Sequence, residues 1–318
     1  MKQAILDQGA KKFGRGSYSL QLLGGFDQNV FEYIDEDDHR FIMKFLDAAK
    51  CNKASLIREL SWMAYLSENG LNITESIRSN DGLLIEEVSD ETNSYHVIAF
   101  AKAPGSSPTD LELDFSLIER WGRDMGKMHA LGKSNPTSLV HRMAFPHWNN
   151  SLLFTSEFPE AAGEKVHAKW KEYLSILSSL PQDQESYGIV HNDLHHNNFH
   201  VHNNEIIYFD FGDAGYNWFA YDIAISIYHA VQTVPNDRKS DFAAKFSDSF
   251  MTGYLKENTL SEEWIELIPF FLEYRNAYSF LYFSKFVDLD HVNERTQNYL
   301  LKMKAEIESS MPLANLLM

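Results

Sequence analysis

Short apolar runs broken by turn residues fill the first hundred positions. Leu20 to Leu23 and Val30 to Ile34 flank the pair Gly24-Gly25, and Arg40 to Leu46 follows the acidic turn Asp35-Glu36-Asp37-Asp38. With Leu83 to Val88 and Tyr95 to Ala101, these segments predict strands. Between them the spacing changes: Leu56, Leu60 and Met63 recur at helical intervals and predict a helix over Ala54 to Asn69, closed by Gly70. Pro104-Gly105 and the following Ser106-Ser107-Pro108 end the strand-rich part.

Helical spacing then takes over. Leu117, Trp121, Met125 and Met128 lie on one stripe that Gly132 can end. Further helices are predicted over Lys165 to Leu180, Tyr221 to Val231, Asp241 to Lys256, Glu262 to Val287 and Asn293 to Ser309. One strand pair interrupts them, Phe199 to His202 and Ile206 to Phe209, with Asn203-Asn204 as its turn. The fold class is therefore α+β, with a small β-rich lobe over 1–101 and a larger, mostly helical lobe over 102–318.

Composition narrows the partners. The 318 residues are 44% hydrophobic, which is globular, and carry a formal net charge of −17. So acidic a surface repels phosphate backbones, and nucleic acid is not expected as a partner. Cys51 is the single cysteine, so no intrachain disulfide forms, as in a reducing compartment. The charges scattered through MKQAILDQGAKKFGRG do not make a signal peptide, and no apolar run approaches the ~18 residues of a membrane span. A soluble cytoplasmic protein without a membrane partner is expected.

The chemistry concentrates in His191-Asn192-Asp193-Leu194-His195-His196-Asn197-Asn198, which follows the apolar pair Ile189-Val190. If the next two strands pair symmetrically about residue 204, Asn198 and Asp210 fall opposite one another. An Asn carbonyl and an Asp carboxylate are hard ligands suited to Mg²⁺. Asp193, on the loop at that end, can orient an attacking hydroxyl and accept its proton.

HNDLHHNNF resembles the catalytic loop of the aminoglycoside phosphotransferase and choline kinase-like family. Phe209-Asp210-Phe211-Gly212-Asp213-Ala214-Gly215 resembles that family's metal-binding segment, and Tyr221-Asp222-Ile223-Ala224 the helix start that follows it. Asn192 stands where the family usually has Gly, and His196 where Pro is common. The resemblance implies a bilobal, protein-kinase-like fold and ATP- or GTP-dependent phosphoryl transfer. It makes Asp193 the catalytic base, Asn198 and Asp210 the magnesium ligands and Asp222 a buried acid supporting the loop.

The small lobe supplies matching parts. Lys44 interrupts the apolar strand Phe41 to Leu46, and a buried lysine needs a partner. Glu59, on the stripe of Leu56 and Met63, is the candidate. In protein-kinase-like enzymes such a lysine touches the nucleotide's phosphates and such a glutamate holds it. Leu23 to Val30, with Gly24 and Gly25, resembles the family's nucleotide loop. By resemblance alone, backbone from Phe100 through Ala101 to Lys102 would meet the adenine.

Two further clusters stand out. His191, His195, His196, His200 and His202 crowd one segment, and a transition metal is the rival reading there. The spacing matches no zinc template, so His191 is read as a brace of the catalytic loop and the others as packing or surface groups. Tyr274, Tyr278 and Tyr282 share a helix face, with Glu273, Asp288 and Asp290 nearby. They are read as core packing, with an ammonium pocket as the alternative.

The resemblance implies a Mg²⁺-dependent kinase that moves the γ-phosphoryl group of a nucleoside triphosphate to a small-molecule hydroxyl, such as an amino alcohol, homoserine-like metabolite, sugar or aminoglycoside. The alternatives are a protein Ser/Thr kinase of the same fold and a nucleotide-binding pseudokinase. A homodimer is allowed for.

Overall fold

Strict alternation along Arg40–Asp47 shows how the first sheet is built. Phe41, Met43 and Phe45 are buried on one side, while Ile42 and Lys44 point to the other. The structure, a computed structural model, describes residues 1–14, 16–25, 27–108, 114–133, 140, 143–150, 152–155, 162–287 and 292–309. It divides into two compact units: Met1–Ser107 with Phe199–Gly212, and Pro108–Asn198 with Asp213–Met318.

The first unit opens with α1 (Gln3–Phe13), followed by β1 (Tyr18–Gly24), β2 (Val30–Asp35), β3 (Arg40–Asp47), α2 (Lys53–Glu68), β4 (Ser76–Ile77), β5 (Glu86–Ser89) and β6 (Ser94–Ala101). The strands form an antiparallel sheet in the order β1-β2-β3-β6-β4, with β5 also paired to β6. Helix α1, which the apolar pattern did not announce, lays Ile5, Leu6, Ala10 and Phe13 into one core with Phe41, Met43 and Phe45. Lys44 is therefore on the face away from that core. Asn52 caps α2 by accepting from the Ser55 N–H at 2.9 Å.

The second unit contains α3 (Phe115–Gly132), α4 (Leu152–Thr155), α5 (Glu164–Ser179) and β7 (Tyr187–Val190). After the hairpin described below come β10 (Gly215–Trp218), α6 (Phe219–Val231), α7 (Lys239–Tyr254), α8 (Glu262–Glu266), α9 (Ile268–Phe286) and α10 (Glu294–Ser309). Helices α3 and α7 touch backbone to backbone. A Cβ on Gly122 would sit 2.0 Å from the Phe250 carbonyl oxygen, and one on Gly253 would sit 1.8 Å from that of Glu119. Only glycine allows that approach. β7 pairs antiparallel with β10, from Val190 opposite Gly215 to Tyr187 opposite Trp218. The expected single helix over Glu262 to Val287 is two, because Pro269 lacks an N–H and fits only the first turn of α9. Among the described residues, no helix is long and apolar enough to cross a membrane.

The remaining strands, β8 (Phe199–His202) and β9 (Glu205–Tyr208), form a hairpin that joins the first unit. Tyr208 exchanges backbone hydrogen bonds with Asn72 and Thr74, both at 2.9 Å. Val201 bridges Ser106, and Gly105 lies so close that a Cβ would meet the Val201 carbonyl oxygen at 2.1 Å. The register corrects the symmetry expected from the sequence. His202 faces Glu205 and Phe199 faces Tyr208, so the pairing centres between Asn203 and Asn204 and does not set Asn198 across from Asp210. The cause is a two-residue turn: Asn203 and Asn204 have φ of 48° and 67°, the left-handed pair that matches the twist of a tight hairpin.

Candidate active site

The loop between β7 and β8 is fixed from beneath by one carboxylate. Asp222, in the first turn of α6 and 1% exposed, accepts from the Asn192 N–H at 2.8 Å and the His191 N–H at 3.2 Å. His129 of α3, fully buried, places Nε2 3.1 Å from the same carboxylate, and its Nδ1 lies 2.9 Å from the Tyr254 hydroxyl. Asn258 donates to that hydroxyl at 2.8 Å. Hydrogen bonds to a buried carboxylate are worth roughly 1.5–3 kcal/mol each, so this chain holds the loop firmly. Asn192 has φ of +66°, which explains why the residue that replaces glycine is an asparagine. Its amide donates to the Asp213 carbonyl at 3.0 Å and accepts from Asn217 at 2.9 Å.

The loop presents Asp193. Its Oδ1 accepts from Arg275 Nη2 of α9 at 2.7 Å, and its Oδ2 lies 3.4 Å from His195 Nε2. Burial alone would raise the carboxyl's pKa. The His195 hydrogen bond and the Arg275 and His195 charges outweigh it and hold the group well below the usual carboxylate range. Asp193 is thus an anion under all ordinary conditions. The buried His191 accepts from the Asp193 N–H through Nδ1 at 3.3 Å. Asn198 donates its amide nitrogen to the Asp193 carbonyl at 2.8 Å, which leaves the carbonyl oxygen as the amide's other polar atom.

In the first unit, Lys44 donates to Asp210 Oδ1 at 2.6 Å, and its charge also acts on Glu59, the partner expected from the helix stripe. Asp210 has φ of +66° and a side chain 48% exposed. Glu59 is buried on α2. Burial drives its pKa up, Lys44 opposes the rise and Asp210 adds to it. Its Oε1 has no hydrogen-bond partner among the described residues. A Cβ on Gly212 would stand 3.7 Å from Glu59 and 3.9 Å from Asp210, so these acids face one small space within the unit.

Gly24 and Gly25 form the tip between β1 and β2, with φ of 137° and 85°. Phe26, beside them, lies outside the described residues. Phe100 is buried, with Lys44 Nζ 5.8 Å from its ring centre. The Ala101 N–H donates to the Glu75 carbonyl at 2.8 Å and its carbonyl accepts from Thr74 Oγ1 at 2.7 Å. The β6 end is thus already engaged within its own sheet.

The histidines separate. His200 Nδ1 lies 2.9 Å from the Ala103 carbonyl and His202 Nε2 3.1 Å from Asn203. Burial, helped by the His195 charge, pushes His196 down to about 4, so it is neutral. Among the described residues, no group of three or more His, Cys, Asp or Glu is placed to hold a metal. Tyr274 is core, stacked on Trp170 at 5.5 Å, while Tyr278 and Tyr282 are half-buried. Asp288 and Asp290 lie outside the described residues. Arg275 went unnoticed in the sequence, although an arginine inside IPFFLEYRNAYSFLYFSKF carries the same signal as Lys44: a charge in an apolar element that needs a partner.

Comparison with known proteins gives the family. Residues 20–264 match the phosphotransferase enzyme family (APH). The chain is 30% identical over 319 residues to amicoumacin kinase of Bacillus subtilis (strain 168), covering 98% of this chain and 94% of that one. A solved amicoumacin kinase, hAmiN, in complex with AMP-PNP, Ca²⁺ and Ami, superposes with a TM-score of 0.86 at 28% identity, over 98% of this chain and 94% of that one. A microcompartment-associated aminopropanol kinase shares the fold, with a TM-score of 0.77 at 16% identity over 97% and 96% of the two chains. The chain belongs to the phosphotransferase enzyme family. It is a kinase with an alcohol group as acceptor, built on the α+β protein-kinase-like fold.

Proposed function

We propose that the chain transfers the γ-phosphoryl group of ATP to a hydroxyl of a small polar molecule of the amicoumacin kind. The observation that carries the reading is Asp193: an anion on a loop that Asp222 fixes through two backbone N–H groups. Such a carboxylate orients an acceptor hydroxyl and takes its proton as the new P–O bond forms and the bond to the leaving diphosphate breaks. Transfer of this kind rests on positioning and electrostatics.

Lys44 neutralises phosphate charge, with Glu59 behind it. The Gly24-Gly25 tip gives backbone access to the phosphates, and the chain near Phe100 and Ala101 faces the base. The donor set fits magnesium: Asn198 retains a carbonyl oxygen once its nitrogen is committed to Asp193, and Asp210 is a half-exposed carboxylate. When bound, the ion neutralises phosphate charge. His191 and Asp222 are supports of the loop. ATP is preferred to GTP because the amicoumacin kinase of known structure holds AMP-PNP. Use of ATP supports a cytoplasmic location.

The test is a transfer assay with γ-labelled ATP and Mg²⁺ over amicoumacin, aminopropanol, choline, spectinomycin, homoserine and a generic protein. Label on amicoumacin or an amino alcohol is expected. Label on the protein alone would overturn the reading.

A further inference from the structure

We infer that Arg275 is a positioning residue for the reaction, acting through the Asp193 carboxylate: it selects the carboxylate's orientation and turns one oxygen to the acceptor. The inference rests on the proposed role of Asp193.

The geometry carries it. One nitrogen of the guanidinium, Nη2, has both of its acceptors in place, Asp193 Oδ1 at 2.7 Å and His229 Nε2 at 3.1 Å. An arginine is always a donor, so His229 must accept through an unprotonated Nε2. Burial agrees, keeping the His229 imidazole neutral, and the Arg275 charge adds to it. The Tyr278 ring lies 5.7 Å from Arg275 Cζ. The arginine is thus held by α6 and by its own helix, and its side chain is only 11% exposed.

Asp193 itself is less constrained. Its side chain is 28% exposed and, besides Arg275, meets only long partners among the described residues: His195 at 3.4 Å and the Asn198 amide at 3.5 Å. Of the groups on this carboxylate, the short, charge-assisted bond from the rigid guanidinium therefore determines its rotation. With Oδ1 committed to Arg275, Oδ2 is the oxygen that receives the acceptor hydroxyl.

The test uses the full chain and the acceptor found in the transfer assay. Arg275→Met should lower kcat roughly 10²-fold, the scale of a small misplacement of a reacting group, with the KM for ATP unchanged. Arg275→Lys should recover part of that loss, because the charge remains while the planar fork is lost. In an Asp193→Asn background, Arg275→Met should cost little more, since an effect exerted through Asp193 vanishes with it. His229→Leu, which leaves both charges in place, should give a smaller loss of the same kind and guards against misfolding of the arginine variants. Full kcat in Arg275→Met, or losses that multiply in the double variant, would overturn the inference while leaving the function intact. A wild-type chain that labels no small molecule would bring down the functional reading and this role with it.

Discussion

Two buried carboxylates, one in each unit, live in opposite circumstances. Asp222 takes two backbone N–H groups and the His129 ring. Glu59 is nearly as deeply buried, yet one of its oxygens has no hydrogen-bond partner among the described residues and its pKa is driven up. The difference separates a finished structural joint from a group whose charge is left under-satisfied. Buried polar groups are normally hydrogen-bonded, and the exceptions gather where chemistry is done. By this measure the loop that carries Asp193 is preorganised, whereas the acids and the lysine of the sheet unit form a softer charge balance.

The sharpest way to break the comparison is to remove Asp222. Asp222→Ala strips the acceptor from two backbone donors and a buried histidine, so the loss should be on the order of 3 kcal/mol or more, read from urea unfolding. A loss below about 1 kcal/mol would show that Asp222 is not the joint described. A smaller effect is expected next door. Asn192→Ala forces an alanine into left-handed backbone and deletes two side-chain hydrogen bonds, for a loss of about 2 kcal/mol. Asn192→Gly keeps the backbone freedom and should lose less, so the order of the two melting temperatures checks the assignment.

Glu59 should behave in the opposite sense. Its folded pKa lies above its ordinary value, so its contribution to stability is present below about pH 4.5 and is lost as pH rises through the folded value. Glu59→Gln removes that loss. The variant should melt above the wild type near neutral pH, and the gap should close toward pH 4. In a transfer assay it should be poorer with ATP. A gap that widens on acidification would contradict the raised pKa.

Much of this was legible in the sequence, and the failures have physical causes. The ordered motifs pointed to Asp222, whose carboxylate holds the His191–Asn192 backbone, while the roles of Asp193, Asn198 and Asp210 belong to the proposed function. The strands β1 to β3 and β6 followed from short apolar runs bounded by turn residues, and α3, α5, α6, α7 and α10 of the second unit from the helical patterns. β4 at two residues, and β7 and β10 at four, are too short to show a period. The hairpin register was missed by half a residue because Asn203 and Asn204 both turn left-handed, a fact of twist that no apolar pattern encodes. The break at Pro269 was readable but overridden by continuous apolar residues. Arg275 was hidden because its partners come from the loop and from α6, far away in sequence, so only the fold reveals what its charge is for.

The proposed role of Asp193 lies in the transfer step and not in holding the nucleotide. Rapid-quench measurement of phosphoryl transfer by Asp193→Asn, alongside a titration of ATP binding, tests it most directly. Transfer should fall roughly 10²- to 10⁴-fold with ATP affinity unchanged. A folded Asp193→Asn protein that transfers phosphate at the wild-type rate would contradict it.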